Sequence, residues 1–292
     1  MPDFKPYLVI GFALGGVYAM SGVGLVVLYR TTGVINLFYG AMGALASIVA
    51  WTMVDEWGWN PWLSYVLVIL MAGVLTAAYG WFLGPPLANR DPLIKASASL
   101  GFALVLLGFM QWRWTPDARS LRLRTNDSQY VNGWLRINWT QAIGMIFPVA
   151  VTIATTVFLT RNKTGTAMRA LADDREITAT LGVPVRRVEA AAWLGSGLVC
   201  GGAGLLLSNL VGLDIVGLTF LVIPALAAAL IGRLQSLWVT LAAGFLIGIV
   251  QSSLTAFSDV AEYRTLTPFV LAIVALLWFA TRQRETTTGS SQ

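Results

Sequence analysis

The stretch RNKTGTAMRALADDREITATLGVPVRRV, residues 161–188, is a charged segment between two apolar runs, 141–160 and 189–210. It carries six basic and three acidic side chains. Such a segment cannot lie in hydrocarbon, so it must leave a membrane as an ordered loop. An excess of Lys and Arg close to membrane segments marks the cytoplasmic side, which is the side predicted here. The charged residues are Arg161, Lys163, Arg169, Arg175, Arg186 and Arg187, with Asp173, Asp174 and Glu176.

The same stretch contains signals for two short helices. Gly182 is typical of the residue just after a helix, and Pro184 of the first residue of the next one. Two short helices outside the membrane would make a docking surface for a soluble partner. A solvated connecting loop without a partner is the alternative interpretation.

The composition is that of a membrane protein. Of 292 residues, 57% are hydrophobic and 11% are charged, with a mean hydropathy of +0.71, whereas soluble domains have about 25% charged residues. We expect no cleavable signal peptide, because the first apolar run is too long for one and lacks a cleavage site. The net charge of +5 falls mainly in loops, which indicates orientation in a membrane rather than binding of nucleic acid.

A membrane span needs about 20 predominantly apolar residues. The fourth candidate is interrupted by Ser97 and Ser99, and the seventh and ninth are short enough to be broken or re-entrant helices. We expect an all-α polytopic membrane protein of about eight or nine helices. It would form one domain over residues 1–285, followed by a disordered tail at 286–292. The nine candidates are 7–28, 34–54, 62–83, 93–110, 141–160, 189–210, 215–232, 237–257 and 266–281.

Small residues recur in the first and sixth spans. Such residues let helices approach closely in lipid, where no hydrophobic effect drives their association. Each of these spans is followed by a glycine-rich break and another apolar segment, which suggests an internal repeat. The glycines are Gly11, Gly15, Gly16, Gly22 and Gly24 in the first span, and Gly195, Gly197, Gly201, Gly202 and Gly204 in the sixth.

Loop charges predict the orientation: the N-terminus outside and the C-terminus inside. Segment 111–140 is basic yet falls on the outer side, and long loops follow the rule less strictly. Tryptophans near the segment ends, such as Trp57, Trp59 and Trp62, predict a belt in contact with membrane lipid. The expected inner charges are Arg30, Arg90, Lys95, the 161–188 loop, Arg233, Arg282 and Arg284; the outer ones are Asp55, Glu56, Asp259 and Glu262.

The sequence lacks the residues that several kinds of functional site require. The sequence has no histidine, which excludes His-ligated metal sites and Ser-His-Asp triads. Its one cysteine, Cys200, lies in an apolar run and is expected to be a small packing residue. There is no P-loop pattern, so any ATP hydrolysis would require another chain. We therefore expect no catalytic residues, no metal and no cofactor in this chain.

Two stretches carry candidate residues for a pathway through the membrane. In residues 32–40, glycines surround the polar Asn36 and Tyr39 at the start of the second span. Unwound backbone at membrane depth must be buried in protein or line a cavity. Two interpretations follow: these side chains face a pathway, or they form a helix cap at the membrane interface. In residues 217–233, Pro224 is expected to open or kink a helix. Asp214, which precedes residues 217–233, would either bind a substrate amine or act as a solvated helix cap.

Three blocks resemble the membrane permeases of branched-chain amino acid ABC importers, the LIV type, which also serves urea and short amides. The blocks are residues 33–40, residues 164–182 and residues 227–232, and the similarity covers nearly the whole chain. The family usually has Phe-Ala-His-Gly after Asn36, whereas this chain has Leu37, Phe38, Tyr39 and Gly40. If this stretch lines the pathway, the substrate need not be an ordinary branched-chain amino acid.

The resemblance implies a function and partners. This chain would be the permease subunit of an ATP-driven importer in a bacterial-type plasma membrane. It would pair with a second permease subunit, in a heterodimer or a homodimer, and with an extracytoplasmic binding protein. Two ATPase subunits would bind ATP and Mg²⁺ and dock on the middle block. The candidate coupling residues are Arg169, Asp173, Asp174, Arg175, Glu176 and Gly182; the candidate pathway residues are Asn36, Phe38, Tyr39, Asp214 and Pro224.

Two other classes of protein are alternatives to an importer permease. A secondary transporter driven by an ion gradient usually carries ionisable groups within its spans, whereas most acidic residues here fall in loops or at boundaries. A membrane-embedded enzyme would need clusters of His, Cys or carboxylates, which the sequence lacks.

Overall fold

The computed structural model describes residues 5–88, 90–114, 119–121, 129–132, 135–257 and 261–288. Within them lie twelve α-helices and one β-hairpin, so the predicted all-α polytopic fold is confirmed. The helices are α1 Lys5–Thr32, α2 Tyr39–Trp51, α3 Pro61–Leu87, α4 Pro92–Arg113, α5 Trp139–Arg161, α6 Lys163–Asp173, α7 Arg175–Thr180, α8 Val185–Val211, α9 Ile215–Thr219, α10 Val222–Ile231, α11 Leu237–Leu254 and α12 Thr267–Thr288.

The shorter elements complete the chain. A π-helical turn, Thr52–Glu56, extends α2, and a 3₁₀ turn, Ala261–Leu266, precedes α12. The hairpin, which no sequence signal predicted, pairs β1, Gln129–Asn132, with β2, Leu135–Asn138, in antiparallel register. Part of the predicted tail, residues 286–288, continues α12, and residues 289–292 lie outside the described part of the chain. Arg122, Arg124 and Asp259 also lie outside it.

Among the described residues, six helices are long and apolar enough to cross a membrane: α1 from Pro6, α3, α4, α5, α8 and α11. Ser97 and Ser99 therefore do not shorten the fourth span, since α4 runs through both. The predicted seventh and ninth spans are the shorter apolar segments Ile215–Ile231 and Tyr263–Phe279. The seventh is broken, as expected, because α9 ends at Thr219 and α10 begins at Val222.

α1 lies at the centre of the protein, with 83% of its most apolar window buried. Its glycines face neighbouring backbones. A Cβ added at Gly15 would lie 2.7 Å from the Phe245 carbonyl oxygen on α11, and one at Gly16 would overlap the Gly144 carbonyl on α5. α8 uses glycine in the same way, since a Cβ at Gly197 would lie 2.7 Å from the Ala72 carbonyl oxygen on α3. The predicted close packing is thus present in both helices.

The pairing of the helices is consistent with two repeats that pack on each other. α1 packs most extensively on α11, and α3 on α8; likewise α1 packs on α10, and α2 on α8. If α1–α3 is one unit and α8–α11 the other, the first helix of each unit packs on the last helix of the other. A glycine with positive φ ends the first helix of each unit, Gly33 at +67° and Gly212 at +97°. This pattern supports the predicted internal repeat.

Contacts between loops show which segments lie at the same end of the protein. At one end, called the basic end, an Arg30 Nη1 donates to the Gln235 carbonyl at 3.2 Å, and Arg186 Nη2 to the Trp81 carbonyl at 3.0 Å. At the opposite end, Trp114 Nε1 donates to Thr52 at 2.9 Å, and Asn209 Nδ2 to the Leu121 carbonyl at 2.9 Å. α1 runs towards the basic end and α8 away from it, so the two proposed repeat units are inverted.

Candidate functional site

The connection between α1 and α2 is buried, extended backbone. α1 ends at Thr32, Gly33 turns the chain with φ at +67°, and α2 begins at Tyr39. Asn36 is 1% exposed and Phe38 is fully buried. A helix cap at an aqueous interface would leave such residues open to water, so the stretch is part of the protein interior.

Ser99 on α4 holds this extended segment in place. Its hydroxyl accepts from the Leu37 N–H at 3.2 Å and lies 2.9 Å from the Ile35 carbonyl oxygen and 2.8 Å from that of Ala96. The side chain is fully buried. Ser99 thus substitutes for the hydrogen bonds that a continuous helix would supply.

Replacing Ser99 with alanine should destabilise the protein by about 1–3 kcal/mol, because it leaves buried backbone groups of residues 35–37 without partners. Ser97→Ala is the matched control, since Ser97 is exposed on the same helix. Thermal unfolding of the purified chain in detergent measures the difference. Equal melting temperatures for the two variants would contradict this role.

The two discontinuous parts of the chain meet in the interior. A Cβ added at Gly40, in the first turn of α2, would overlap the Thr219 carbonyl where α9 ends and would lie 3.1 Å from the Val222 nitrogen where α10 begins. Pro224 lies in the first turn of α10, so the break precedes it, at 220–221, rather than kinking the helix around it. Transporters build solute sites at such junctions of broken helices.

Several buried polar atoms make no well-formed hydrogen bond with a described residue, although the Tyr39 and Ser21 hydroxyls lie close to each other. They are Oδ1 of Asn36 and the hydroxyls of Ser21, Tyr39 and Ser196. The Tyr39 hydroxyl faces α1, 3.2 Å from where a Gly24 Cβ would lie, while its backbone carbonyl accepts from the Cys200 thiol at 2.8 Å. A buried polar atom without a partner is costly, so this arrangement favours a ligand or an alternative conformation.

A groove of about 560 Å³ lies beside these atoms. It is bounded by α1, α5, α6 and α8, with Gly24, Thr155, Ser196 and Val199 among the lining residues. The lining is mostly apolar with a few hydroxyls. The volume of the groove is within the range of ligand sites, about 300–1,000 Å³. Its wall includes exposed residues of α5 and α8, so it opens at the side of the protein.

Phe38 packs in an aromatic cluster rather than facing this groove. Its ring centroid lies 4.6 Å from that of Tyr79, 5.0 Å from Phe102 and 5.9 Å from Trp193. The cluster joins α2, α3, α4 and α8. Phe38 therefore contributes packing in this conformation, while the role of a pathway residue is open to Tyr39 and Asn36.

Asp214 lies at the opposite end and is exposed. Its carboxylate accepts from the backbone N–H groups of Val216 at 3.2 Å and Gly217 at 2.9 Å, and so caps α9. Of the two interpretations of Asp214, the geometry shows the cap.

The 161–188 stretch contains the two predicted short helices, α6 and α7. α6 buries Met168 and Leu171 and exposes Arg169 and Asp173. Asp174 caps α7 by accepting from the Ile177 N–H at 2.9 Å, and Glu176 is exposed.

The end of the stretch differs from the prediction by one residue. Gly182 has φ at +82°, the left-handed conformation of a helix stop. Pro184 precedes α8 instead of starting it, because its carbonyl already accepts from the Arg187 N–H at 2.9 Å and the Val188 N–H at 3.2 Å.

Arg175 joins α7 to α8. Its Nη2 lies 2.9 Å from Oε1 of Glu189, and its Nε donates to the same oxygen at 3.0 Å. The Glu189 side chain is 10% exposed and that of Arg175 is 38% exposed. This partly buried ion pair therefore links α7 to a long membrane helix.

α7 also presents two apolar side chains that the sequence analysis missed. Ile177 is 60% exposed and Leu181 is 76% exposed, four residues apart. Side chains four apart share one face of a helix, so the two lie next to each other among charged residues. An adjacent pair of exposed apolar side chains is a candidate contact for another protein. The apolar residues between the charges of 161–188 were the available signal.

Inverted repeat units, broken helices that meet in the interior and a helical pair outside the spans together define a multi-pass membrane transport protein. Residues 7–276 match the family model for the permease component of the branched-chain amino acid transport system, so the chain belongs to that family. It is 26% identical to the high-affinity branched-chain amino acid permease LivH of Escherichia coli K12, over 91% of each chain.

Two further relatives agree. Pseudomonas aeruginosa BraD, also a high-affinity branched-chain amino acid permease, is 25% identical over 95% of each chain. A probable branched-chain amino acid permease LivH of Methanocaldococcus jannaschii is 26% identical over 82% of this chain and 77% of its own length. The similarity therefore covers nearly the whole fold described here.

Proposed function

We propose that this chain is a permease subunit of an ATP-driven importer that moves branched-chain amino acids or a related small amide solute into the cell. The observation that carries the proposal is the junction at Gly40, where two discontinuous segments meet beside buried polar atoms without partners. Among the described residues, Glu189 is the only buried carboxylate, and it is paired with Arg175, which argues against an ion-coupled mechanism.

The groove supports the substrate class. Its walls are mainly aliphatic, as a branched aliphatic side chain requires, and its hydroxyls suit the polar groups of an amino acid or an amide. Tyr39 lies behind the groove, where the resemblance led us to expect a histidine. Because the groove opens at the side of the protein, a second permease subunit packed against α5 and α8 would close it. The pathway would then lie between the two subunits.

ATP hydrolysis would be supplied by two partner subunits that bind ATP and Mg²⁺, with no cofactor in this chain. We place their docking surface on α6 and α7, with Ile177 and Leu181 as apolar anchors and Arg169 and Glu176 as charged neighbours. The basic end would then face the cytoplasm of a bacterial-type plasma membrane, and an extracytoplasmic binding protein would deliver solute to the opposite end.

The coupling route follows from the contacts. α7 holds α8 through Arg175 and Glu189, and α8 packs closely on α2, where a Cβ at Gly204 would overlap Gly43. A shift of α7 would therefore displace α2 and the extended segment before it. The ATPase can drive this shift only if it binds the two conformations with different affinity.

Uptake into proteoliposomes tests the proposal. The chain would be reconstituted with its partner permease, its ATPase subunits and its binding protein, with ATP inside or outside the vesicles. We expect uptake of labelled leucine, isoleucine, valine or a short amide only when ATP is on the side of α6 and α7. Uptake driven by an ion gradient without ATP would overturn the proposal in favour of a secondary transporter.

Thiol labelling tests the orientation. In a Cys200→Ser background, single cysteines replace Glu56 and Asp214 at the opposite end and Asp174 at the basic end, all of which are exposed. An impermeant reagent applied to intact cells should label positions 56 and 214 but not 174. Labelling of 174 alone would invert the orientation and remove the docking surface from the cytoplasm.

Tyr39→Phe tests contact between the solute and the hydroxyl. Because the Tyr39 hydroxyl makes no well-formed hydrogen bond with a described residue, even with the Ser21 hydroxyl close by, its removal should change the melting temperature little. Uptake should fall by about tenfold, the value of one hydrogen bond to a polar solute. Tyr79→Phe is the control, since its hydroxyl is equally without a described partner but belongs to the aromatic cluster. Unchanged uptake of every solute by Tyr39→Phe would assign Tyr39 to packing.

A further inference from the structure

A cavity of about 680 Å³ lies at the basic end, apart from the groove described above. Its walls come from four separate parts of the chain: the end of α1, the start of α4, the junction of α6 and α7, and the turn between α10 and α11. Four basic side chains line it against one acidic one. They are Arg30, Lys95, Arg175 and Arg233, with Asp173. We refer to it as the basic cavity.

The charges of the basic cavity are incompletely balanced. Arg175 is paired with Glu189. Arg30 donates to a neutral backbone carbonyl, that of Gln235, and Arg233 lies over the Phe279 ring at 5.6 Å. Neither interaction neutralises the charge. Within the described ranges no ion pair within 4 Å involves Arg30, Lys95 or Arg233. Glu189 lies within electrostatic range of Lys95 and Asp173 lines the same cavity, so the four cations face two carboxylates and three of them keep N–H donors available for an anion.

Contacts place these cations around one space. The Lys95 ammonium lies 3.9 Å from where a Cβ of Gly33 would be, which puts it beside the end of α1. Arg30 reaches from the same end of α1 to the 233–235 turn through its 3.2 Å hydrogen bond. Lys95 and Arg30 thus lie near the same end of α1, and the turn that Arg30 contacts is the one that carries Arg233.

The turn that carries Arg233 is held in an unfavourable backbone conformation. Arg233 and Leu234 have φ at +56° and +54°, a region that residues with a Cβ rarely adopt. The Leu234 N–H donates to the Ala229 carbonyl at 2.8 Å, which fixes the turn. Strained backbone of this kind concentrates at functional sites, and here it places a guanidinium at the mouth of the cavity.

We propose that the basic cavity binds a phosphate-bearing anion, with Arg30, Lys95 and Arg233 donating to its oxygens. Free phosphate offers up to two negative charges and a phosphodiester headgroup offers one, and each presents strong acceptor oxygens to the three cations that have no ion pair among the described residues. The anion can come from an anionic lipid headgroup at the membrane surface or from free phosphate in the cytosol. Bound there, it would join α1, α4 and the α10–α11 turn.

Thermal unfolding of the full chain in phosphatidylcholine nanodiscs tests the binding. Inorganic phosphate should raise the melting temperature by several degrees, whereas chloride at equal ionic strength should not. Arg233→Gln should weaken phosphate binding by about tenfold, the value of a charge-assisted hydrogen bond. Arg233 is exposed, so this variant should fold; Arg30→Gln provides a second test. Arg187→Gln, an exposed arginine that does not line the cavity, should bind like the wild type.

Nanodiscs containing phosphatidylglycerol distinguish the two sources. If the headgroup occupies the cavity, the chain retains this lipid in native mass spectrometry and phosphate no longer raises the melting temperature. If the anion is free phosphate, the shift persists in both membranes. Loss of the phosphate-induced shift in melting temperature, or of the retained lipid, in Arg233→Gln supports the site. The proposal is overturned if phosphate and lipid act no differently from chloride, or if Arg187→Gln matches Arg233→Gln.

Discussion

Replacing Gly40 with alanine is expected to prevent stable folding, at a cost of about 3 kcal/mol or more. The added methyl would overlap the Thr219 carbonyl and crowd the Val222 nitrogen at 3.1 Å. Both are backbone atoms, so no flexible side chain can give way. α2 would have to move away from the break between α9 and α10, which would also displace the extended segment that Ser99 holds. The recovery of monodisperse protein in detergent and its melting temperature measure the loss.

Gly101→Ala is the matched control for this prediction. Gly101 lies on α4, and a Cβ added there meets nothing within 4 Å. Because alanine favours a helix over glycine by about 1 kcal/mol, this variant should be as stable as the wild type or more so. The same substitution is thus expected to act in opposite directions at the two positions. A folded, transport-competent Gly40→Ala protein would show that the two broken segments do not meet as described.

Reversing the charge of Arg175 is expected to abolish the coupling of ATP hydrolysis to uptake. In Arg175→Glu the new carboxylate faces the largely buried Glu189, and the loss of one partner of such a pair costs about 2–3 kcal/mol once partial exposure is allowed for. α7 would then be released from α8. Exchanging both residues, in Arg175→Glu with Glu189→Arg, restores opposite charges and should recover most of the uptake.

The exchange separates two roles for Arg175. If Arg175 acts by contact with the ATPase, the double variant stays uncoupled, because the reversed charge still faces the partner. If it acts through Glu189, the double variant recovers both co-purification with the ATPase and stimulated hydrolysis. Arg187→Glu is the control for a charge reversal on the same face of the protein, since Arg187 is exposed near the start of α8. Failure of the double variant to recover would contradict the linkage of α7 to α8.

Local signals predicted the elements well. Charge set the limits of the 161–188 segment, Gly182 marked the end of α7, and the short apolar run at 215–232 predicted a broken helix. Each of these signals acts within a few residues of the chain, as helix stops and breaks do. The packing of the first helix of each unit on the last helix of the other could be anticipated only from the similar glycine runs. Sequence periodicity does not specify which helices become neighbours.

Long-range partners were the part that could not be predicted. Ser99 looked like an interruption of a span, yet its hydroxyl bonds to backbone 62 residues away. Glu189 looked like the first residue of an apolar run, yet it is the partner of Arg175. Phe38 was assigned to a pathway from its position alone, and the structure shows it in an aromatic cluster with residues of three other helices. None of these interactions has a signature in neighbouring residues.

The close packing of α1 on α11 has a consequence for biosynthesis. α11 begins at Leu237 and α1 ends at Thr32, so nearly the whole chain is translated before the central helix meets its main partner. At ribosomal rates this interval is about 10–40 seconds. Throughout it, the glycine-lined face of α1 has neither its own partner helix nor large side chains with which to attract lipid. We therefore expect this face of the first helix to lack its final partner until the last fifth of the chain emerges.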